Sequence, residues 1–509
     1  MISVLTAADV ERVDAAAEAA GTPVERLMEN AGWAVARAAR TMMDGTYGRR
    51  VVVVCGKGNN AGDGLVAGRI LYEQGAHVTA VLTTDALSPL AARNLDRFPG
   101  AIRHLDALPR ELGRADLAID AIFGVGLTRA PEGAMGEGVR ELAQAPAPVL
   151  AIDIPSGVDS DTGQILGDAV VADDTITFGG FKPGLLFEPG RSHAGEIHLA
   201  DIGTGVRDDP SIHVRVLEPD DVRQRLPLRE ESSHKRNTGT LLVVSGSRAM
   251  PGAAALVCGA SVHSGSGLTV LCAPEDVCRV VLSRVPEVTT IPVPESSEGT
   301  IDAKALDLIR PRMEEFHAVA IGPGLSTHPA TMEFVRAFVD EVSVPVVIDA
   351  DAITALAGAI EAVELGRAIL TPHAGELARL VDRKASELEG DRLAAATMVA
   401  RQTKGVVLFK GPGTVITNGT HTLVNGTGGA PLAQGGTGDV LTGLIGSLIA
   451  QSSTGRTLSS IETVEVAAAA AWIHGLAAER IAHRQWPHPA NASALIEEIG
   501  PTMHEILDG

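Results

Sequence analysis

The sequence predicts an α/β fold in two halves, each a mostly parallel sheet covered by helices on both faces. Short apolar runs rich in Val and Ile alternate with helical patterns along most of the 509-residue chain. That alternation is typical of strands joined by crossover helices. Only 3% of the residues are aromatic, whereas 56 are glycine. We therefore expect cores packed by Ala, Val, Leu and Ile, with glycine-bearing loops after the strands.

The first half begins with two helical patterns and continues with strands. Thr6–Asp9 has the pattern of a capping box that opens an N-terminal helix, and a second helix is expected over Val24–Met42. Leu65–Gly75 is expected to be the helix that joins the first two strands. The strands predicted in this half are Arg49–Cys55, His77–Leu82, Asp116–Ile122 and Pro148–Ile154.

The second half follows a charged stretch. Periodicity fades and charge rises between Arg207 and Arg236, so we expect a boundary near Leu228 and two separable domains, 1–225 and 226–509. Further strands are expected after this stretch. They are Thr240–Gly246, Gly267–Ala273, Ala318–Gly322, Pro345–Asp351, Ala368–Pro372 and Val406–Gly411.

Charge and composition exclude several kinds of protein. The chain has 63 acidic and 42 basic residues, a formal charge of −21, which argues against a broad nucleic-acid or anionic-membrane surface. The N-terminus lacks a charged leader followed by an apolar stretch, and no uncharged apolar run is long enough to span a bilayer, so a cytoplasmic protein is expected. We also expect a homo-oligomer. Four cysteines, expected to be reduced and mostly buried, are Cys55, Cys258, Cys272 and Cys278.

The most informative stretch is GGTGDVLTGLIGSLIA, which spans Gly435–Ala450. Glycines lead through an acid, Asp439, into an apolar helical segment. Such a turn leaves backbone N–H groups free at a helix N-terminus, where phosphate can bind. Asp439 would then remove a hydroxyl proton while the amides of Gly436, Thr437 and Gly438 hold phosphoryl charge. The alternative is a glycine turn in which Asp439 only caps the helix.

A second glycine-rich loop, Gly56–Gly64, follows the first strand. It fits the dinucleotide fingerprint GxGxxG/A only weakly, because that fingerprint does not explain Asn59, Asn60 or Asp63. Amide and carboxylate oxygens beside free N–H groups suit a ligand that carries phosphates, and such oxygens can also hold a monovalent cation. A simple helix-capping turn is the alternative.

Two further strand ends carry acids beside glycines. The segment Asp120–Ala130 contains Gly124 and Gly126, which permit close approach of the backbone to a ligand. Asp153 precedes a Pro-Ser-Gly turn, and its alternative role is that of an ion-paired structural residue. Because the carboxyl ends of parallel strands share one edge of a sheet, these groups and the first loop favour one common site.

The first half resembles the epimerase domain of the bifunctional NAD(P)H-hydrate repair enzymes. The matching motifs are LMENAG, GNNAGDGLVAGR, DAIFGVGL and IDIPSG, in that order. The resemblance implies a Rossmann-like three-layer α/β sandwich and Asp153 as the residue nearest the chemistry. It implies contact with the hydrated nucleotide for Asn59, Asn60, Ala61, Gly62, Asp63, Gly124, Val125, Gly126, Leu127, Thr128, Arg129, Ala130 and Asp153. It also implies K⁺ ligands at Asn60, Asp120 and Ser156. Ala61 departs from the usual second glycine, which matters only if the backbone there needs positive φ.

The second half resembles the ADP-dependent dehydratase of the same enzymes, a ribokinase-like α/β domain. The matching motifs are HKRNTGTLLVVSGS, MPGAA, IGPGL, DADA, LTPHAGE, KGPGT and GGTGDVLTG. A Walker A pattern does not occur, which excludes P-loop chemistry. The resemblance implies hydrate contacts at Ala254, Gly324, His373 and Asp439. It implies nucleotide contacts at Lys410, Gly411, Pro412, Gly413, Thr414 and Gly438. Taken alone, His373 also suits a turn and Lys410 a surface charge.

The resulting hypothesis is repair of NADHX and NADPHX, whose nicotinamide ring has gained water at C6. The first domain would interconvert the R and S hydrates with K⁺, and the second would dehydrate the S form with ADP and Mg²⁺, giving AMP and phosphate. One alternative is a ribokinase-like small-molecule kinase with a fused regulatory nucleotide-binding domain, which would release a stable phosphorylated product. Another is a non-catalytic NAD(P)-sensing scaffold, for which Asp439 and Asp153 would be dispensable.

Overall fold

The computed structural model describes residues 1–229, 231, 233–235, 237–360, 365–485 and 490–508, without the side chains at positions 208 and 485. The chain forms two compact units, Ile2–Ile212 and His213–Gly509 together with Met1.

The division lies earlier than the boundary expected at 225/226, because residues just after it already belong to the second unit's sheet and core. The strand Val214–Val216 pairs with Thr422–Val424, and Val222 and Leu226 are buried in the core of the second unit. The charged stretch that suggested a linker therefore begins inside a folded unit.

The first unit contains eight strands and seven α-helices among the described residues. The strands are β1 (Ile2–Ser3), β2 (Arg50–Cys55), β3 (His77–Leu82), β4 (Ala101–His104), β5 (Leu117–Ala121), β6 (Val149–Ile152), β7 (Asp174–Phe178) and β8 (Glu196–Ala200). The helices are α1 (Ala7–Ala19), α2 (Val24–Met42), α3 (Asn59–Glu73), α4 (Pro89–Asp96), α5 (Leu108–Leu112), α6 (Gly133–Leu142) and α7 (Gly190–His193).

Strands β2 to β8 form a parallel sheet in the order β4-β3-β2-β5-β6-β7-β8. Alternate residues of β2 enter different cores, because side chains alternate across a strand. Val51 and Val53 pack with α2 and α3, whereas Val52 and Val54 pack with residues of α5 and α6. The predicted three-layer sandwich is therefore confirmed, as are the four strands expected from sequence and the capping box at Thr6.

Helix α3 differs from its predicted extent. It begins at Asn59, after an extended Gly58, rather than at Leu65, so the residues interpreted as a loop form its first turns. The glycines lower helix propensity, but close packing against α2 compensates: a Cβ at Gly32 would lie 2.3 Å from Val66 Cγ1. Ala61 has no positive φ and is fully buried in this helix.

The described residues of the second unit form a further ten strands. They are β9 (Val214–Val216), β10 (Thr240–Val244), β11 (Leu268–Pro274), β12 (Thr289–Val293), β13 (Ala318–Ile321), β14 (Val346–Ile348), β15 (Ala368–Leu370), β16 (Val406–Phe409), β17 (Val415–Thr417) and β18 (Thr422–Val424). They lie in the order β9-β18-β17-β16-β15-β14-β13-β10-β11-β12. Pairing is parallel except for β16 with β17 and β17 with β18, and the six predicted strands are confirmed.

Twelve α-helices accompany this sheet in the described part of the chain. They are α8 (Pro219–Arg223), α9 (Pro251–His263), α10 (Glu275–Leu282), α11 (Ala305–Ile309), α12 (Pro329–Glu341), α13 (Ala350–Leu356), α14 (Ala374–Val381), α15 (Ala385–Gly390), α16 (Arg392–Thr403), α17 (Thr437–Ser452), α18 (Ser460–Gln485) and α19 (Ala492–Asp508). Helix α17 is apolar on nearly all sides because α9, α18 and the sheet enclose it.

One helical segment, Ser460–Arg484, is long and apolar enough to cross a membrane by length and composition, with a mean hydropathy of 1.2. However, 72% of its most apolar window is buried inside the protein, as in the core helix of a globular unit. The expectation of buried, reduced cysteines is confirmed, since all four thiols are free and buried.

Candidate active sites

The first unit contains a cavity of about 380 Å³ at the carboxyl edge of its sheet. Strand order reverses at this point, because β3 lies on one side of β2 and β5 on the other. Such a switch point is where open α/β sheets bind ligands. Of the residues implied by the resemblance, those that line the cavity are Asn59, Asn60, Asp63, Gly124, Val125, Gly126 and Asp153.

The other implied residues lie beside the cavity rather than in its wall. Ala61 and Gly62 are buried in α3, and Leu127 is buried in the loop after β5. Thr128, Arg129 and Ala130 are exposed. Their contact with a substrate stays a prediction.

Asp120, Ser156 and the backbone of the loop after β5 form one buried cluster. Asp120 is fully buried and accepts hydrogen bonds from the Ser156 hydroxyl at 2.6 Å, the Ser156 N–H at 2.8 Å and the Ile122 N–H at 3.2 Å. The Asn60 amide donates to the Phe123 carbonyl at 3.0 Å, and Phe123 N–H donates to Ser156 Oγ at 2.9 Å. Burial raises the pKa of Asp120 to about 6, although the bonds from Ser156 oppose the rise.

Asp153 is the acid that immediately follows β6. Its backbone has φ of +68°, which is unusual for a residue other than glycine, and its N–H donates to Ile176 O at 2.7 Å. The carboxylate forms an ion pair with Lys182 and accepts a hydrogen bond from Thr177 Oγ1 at 3.1 Å. It is therefore ion-paired, as the structural alternative required, and it also lines the cavity.

Two further acids face the same cavity, Asp14 from α1 and Asp63 from α3. Burial raises the pKa of Asp14, with a smaller contribution from the negative charge of Asp153 and an opposing one from Lys182. Burial also raises the pKa of Asp63 well above its ordinary value, and Asp153 and Asp14 add to the effect. The cavity therefore favours protonation of Asp14 and Asp63 beside the ion-paired Asp153.

Sequence reasoning missed Asp14, Thr177 and Lys182. The signal for Lys182 was available: a lysine follows DTITFGGF, where the apolar run and glycines indicate a strand and a tight turn. Asp14 gave no such signal, because one acid among several on α1 does not indicate which faces the sheet.

In the second unit, Lys410 and Asp349 form the centre of the candidate site. Lys410 Nζ lies 2.7 Å from Asp349 Oδ1 and 3.8 Å from Glu376 Oε2. Asp349 also accepts hydrogen bonds from Thr371 Oγ1 at 2.8 Å and Thr442 Oγ1 at 2.7 Å. Burial alone would lower the pKa of Lys410, but Asp349 and Glu376 outweigh it and the pKa is raised. Lys410 is therefore a held cation rather than a loose surface charge.

Arg392 holds the backbone at the start of the loop that follows Lys410. This arginine is buried, its guanidinium lies 4.0 Å from the centroid of the Phe409 ring, and it donates to the carbonyls of Phe409 and Lys410 at 2.9 and 3.1 Å. The Thr414 hydroxyl closes the turn by donating to Gly411 O at 2.9 Å. A rigid glycine turn beside a lysine suits phosphate binding.

Helix α17 begins beside the Lys410 ammonium. Gly436, with φ of +90°, precedes the helix and offers no side-chain cap to its first N–H groups. A Cβ at Gly438 would lie 3.7 Å from Lys410 Nζ. Buried His474 holds the helix start through a 2.9 Å contact from Nε2 to Thr437 O. Free helix amides and an ammonium group thus face the same space, which is a favourable place for an anion.

Asp439 is the third residue of α17. Burial raises its pKa to about 7, Asp349 adds to the rise, and Lys410 opposes it. A carboxylate with such a pKa can both accept and release a proton near neutral pH. The role of Asp439 as an acid–base group stays a prediction, and so does the capping role that is its alternative.

The remaining implied residues lie in two places. At Gly324, with φ of +68°, a Cβ would lie 2.8 Å from Ala253 Cβ, so the IGPGL loop packs on the MPGAA segment that contains buried Ala254. His373 caps α14, since its Nδ1 accepts from Gly375 N–H at 3.0 Å. The turn role of His373 is confirmed, whereas its contact with a hydrate stays a prediction.

The dehydration that the resemblance implies should depend on pH through Asp439. Because its pKa is raised to about 7, the carboxylate of the free enzyme is protonated below that pH and cannot act as a base, so kcat/KM should fall about tenfold per unit below pH 7 and level off above it. The check is a pH profile of kcat/KM for the S hydrate. A profile that stays flat between pH 5 and 7 would contradict the assignment.

Comparisons with known proteins match both halves of the chain. Residues 241–501 match the family described as NAD(P)H-hydrate dehydratase, and residues 24–184 match the YjeF-related protein N-terminus. A bifunctional NAD(P)H-hydrate repair enzyme from Moorella thermoacetica is 37% identical over 429 residues, 81% of each chain. The one from Salinibacter ruber is 34% identical over 529 residues, covering 97% of this chain and 95% of that protein.

A solved structure shows the fold of the second unit. A ribokinase-like superfamily protein from Enterococcus faecalis, 22% identical, superposes with a TM-score of 0.50 and covers 58% of this chain and 98% of its own. The fold and the sites thus define a two-unit α/β enzyme whose second unit is ribokinase-like. The chain belongs to the bifunctional NAD(P)H-hydrate repair enzymes. Its activities are those of an NAD(P)H-hydrate epimerase and an NAD(P)H-hydrate dehydratase.

Proposed function

We propose that the cavity of the first unit, within the domain expected over 1–225, interconverts the R and S hydrates of NADH and NADPH. The second unit, which contains the domain expected over 226–509, then dehydrates the S hydrate at the expense of ADP. The observation that carries this division is that each unit has its own acid beside its own cation, Asp153 with Lys182 and Asp439 with Lys410.

In the proposed epimerisation, Asp153 shuttles one proton. It accepts the proton of the C6 hydroxyl as the C6–N1 bond breaks, the oxygen becomes a carbonyl, and N1 receives the electron pair and the proton. The reverse sequence on the other face of the carbonyl closes the ring with the opposite configuration. The first N–H groups of α3, which begins at Asn59, are placed to bind a phosphate of the substrate.

In the proposed dehydration, Asp439 accepts the proton of the C6 hydroxyl while the oxygen of that hydroxyl attacks the β-phosphorus of ADP. AMP leaves, and the new phosphate ester is a better leaving group than hydroxide. The C6–O bond then breaks with help from the N1 electron pair, and loss of the C5 proton restores the dihydronicotinamide. Lys410 and the amides of Gly438 and Asp439 stabilise the phosphoryl charge.

The second site also has groups that fit Mg²⁺. This ion usually takes one or two carboxylates together with phosphate oxygens and waters. Asp351, which accepts from Ser326 N–H at 2.8 Å, and Glu376, which lies 3.8 Å from Lys410, are the carboxylates that would hold it. When bound, the ion would neutralise charge on the phosphates of ADP.

The cluster at Asp120 fits K⁺ in the first unit. Its groups are hard oxygens: the carboxylate of Asp120, the hydroxyl of Ser156, the carbonyl of Phe123 and the amide oxygen of Asn60. The hydrogen bonds to the buried Asp120 come from neutral groups, so a cation would compensate its charge.

Replacement of K⁺ by Cs⁺ is therefore expected to slow epimerisation, because the larger ion does not fit a cluster this tight. Ser156→Ala should raise the K⁺ concentration needed for half-maximal exchange by about 10–100-fold. The rate of R-to-S exchange over a K⁺ titration measures both effects, and dehydration of pure S hydrate in the same samples is the control. Equal exchange in K⁺ and Cs⁺ would contradict the site.

The decisive experiment for the whole proposal uses a mixture of R- and S-NADHX with ADP and Mg²⁺. We expect complete recovery of NADH absorbance, with one inorganic phosphate and one AMP for each NADH formed. A small-molecule kinase with a regulatory domain would instead yield a stable phosphorylated product and no NADH. If conversion stopped once the S form was consumed, the result would contradict the proposed epimerase activity.

A further inference from the structure

Lys182 is the most deeply buried charged side chain in the epimerase cavity, with 1% of its surface exposed. Its ammonium forms an ion pair with Asp153 and donates to Thr177 Oγ1 and Phe178 O, both at 3.0 Å. Burying an ammonium group is expensive unless every donor is used. Here the donors are used, because Asp153, Thr177 and Phe178 all contact the ammonium, which is therefore held in one place.

Thr177 connects the two charged groups. Its hydroxyl accepts from Lys182 Nζ at 3.0 Å and donates to Asp153 Oδ1 at 3.1 Å. The direction of the second bond is thereby fixed, because the hydroxyl has one proton to give. The Asp153 carboxylate is thus held by two donors, the Lys182 ammonium and the Thr177 hydroxyl, and the Asp153 backbone has φ of +68°. Its carboxylate has little freedom to turn.

Other charged groups line the same cavity as Asp153. Asp14 on α1 and Asp63 on α3 are acids in the same cavity, as is Glu11 at its rim, and Lys57 is an exposed lysine there. Among these, Lys182 is the group with a direct ion pair to Asp153. Without it, a negative Asp153 would lie near other acids in a poorly hydrated cavity.

We propose that Lys182, oriented by Thr177, is a positioning residue that keeps Asp153 ionised and pointed into the cavity during epimerisation. This inference rests on the proposed role of Asp153. The ammonium itself need not touch the reacting atoms: it stabilises the base in the form that accepts the hydroxyl proton.

The test compares Lys182→Met and Thr177→Val in the full-length protein, with Thr175→Val as the matched control. Thr175 lies on the same strand and is equally buried, but its hydroxyl donates to Ala194 O at 2.7 Å, away from Asp153. Proton NMR of the epimers gives kcat and KM for exchange from pH 5 to 9. Circular dichroism and thermal unfolding of the same preparations verify that each variant is folded, and dehydration of pure S hydrate verifies that the second unit is intact.

For Lys182→Met we expect kcat to fall by up to about 10²-fold and KM to change by less than about 3-fold. The acidic limb of the pH profile of kcat should move to higher pH. The sign follows because a buried carboxylate without its cation is protonated more easily, and only the ionised form is a base. Thr177→Val should move the limb in the same direction by a smaller amount, and Thr175→Val should leave both kcat and the limb unchanged.

Three results would overturn the inference. They are wild-type exchange in Lys182→Met, a lower kcat with an unmoved acidic limb in both test variants, and equal effects of Thr175→Val and Thr177→Val. If Lys182→Met does not fold, Thr177→Val and its control decide alone. Failure of the proposed function is distinguishable, because Asp153→Asn would then exchange at the wild-type rate whatever Lys182 does.

Discussion

Asp439→Asn is expected to lower the rate of dehydration about 10²–10⁴-fold, the usual cost of losing a general base. The amide keeps the shape of the side chain at the third position of α17, but it cannot take the hydroxyl proton. Lys410 and the free amides of the helix remain, so binding of ADP should persist. The measurements are single-turnover formation of NADH from S-NADHX and the affinity for ADP by calorimetry.

Asp340→Asn is the matched control, since Asp340 is an exposed acid on α12 of the same unit. It should dehydrate at the wild-type rate. Epimerisation by both variants should also be unchanged, and an affinity for ADP at the wild-type value separates the loss of a base from a loss of folding in the second unit. Wild-type dehydration by a folded Asp439→Asn protein would exclude the role of Asp439.

Asp153→Asn is expected to reduce R-to-S exchange by at least about 10²-fold, because the proton shuttle of the first unit is lost. Asparagine tolerates positive φ better than most residues, so the substitution removes the charge without disturbing a backbone at φ of +68°. Dehydration of pure S hydrate by the second unit should not change. Proton NMR of the separated epimers measures the exchange directly.

Asp106→Asn, at an exposed acid of the same unit, provides the comparison and should exchange normally. A mixture of R and S hydrates supplied to Asp153→Asn with ADP should yield NADH only from the S fraction and then stop. Exchange at the wild-type rate in Asp153→Asn would reduce this residue to a structural partner of Lys182.

Much of the fold is predictable because buried parallel strands are continuous apolar runs. Arg50–Cys55 and Val406–Phe409 are of this kind, and their predicted positions are confirmed. The strands Asp174–Phe178 and Glu196–Ala200 were missed, because they alternate polar and apolar residues and are short. That omission also hid Thr177 and Lys182, which depend on the strand next to β6.

The candidate sites show the same limit. Motifs in which glycines lie beside an acid, at a strand end or at a helix start such as the one before Asp439, indicate where a ligand can bind, because geometry there restricts the residue types. A group such as Asp349, buried after β14 and bonded to Thr371 and Thr442, derives its role from distant parts of the chain. The spacing of these residues along the sequence does not indicate that they are in contact.

The burial of all four cysteines has a practical consequence for studying the transfer of substrate between the two active sites. Burial raises the pKa of Cys55 to about 12 and that of Cys278 to about 11, and it raises the pKa of Cys258 and Cys272 as well. Thiolates are the reactive form of cysteine, so maleimide reagents should not react with the four native thiols. A single cysteine at exposed Tyr47 in one unit and another at exposed Leu308 in the other would accept a donor and an acceptor dye in an otherwise wild-type background. Energy transfer between the dyes would then follow the separation of the units during turnover.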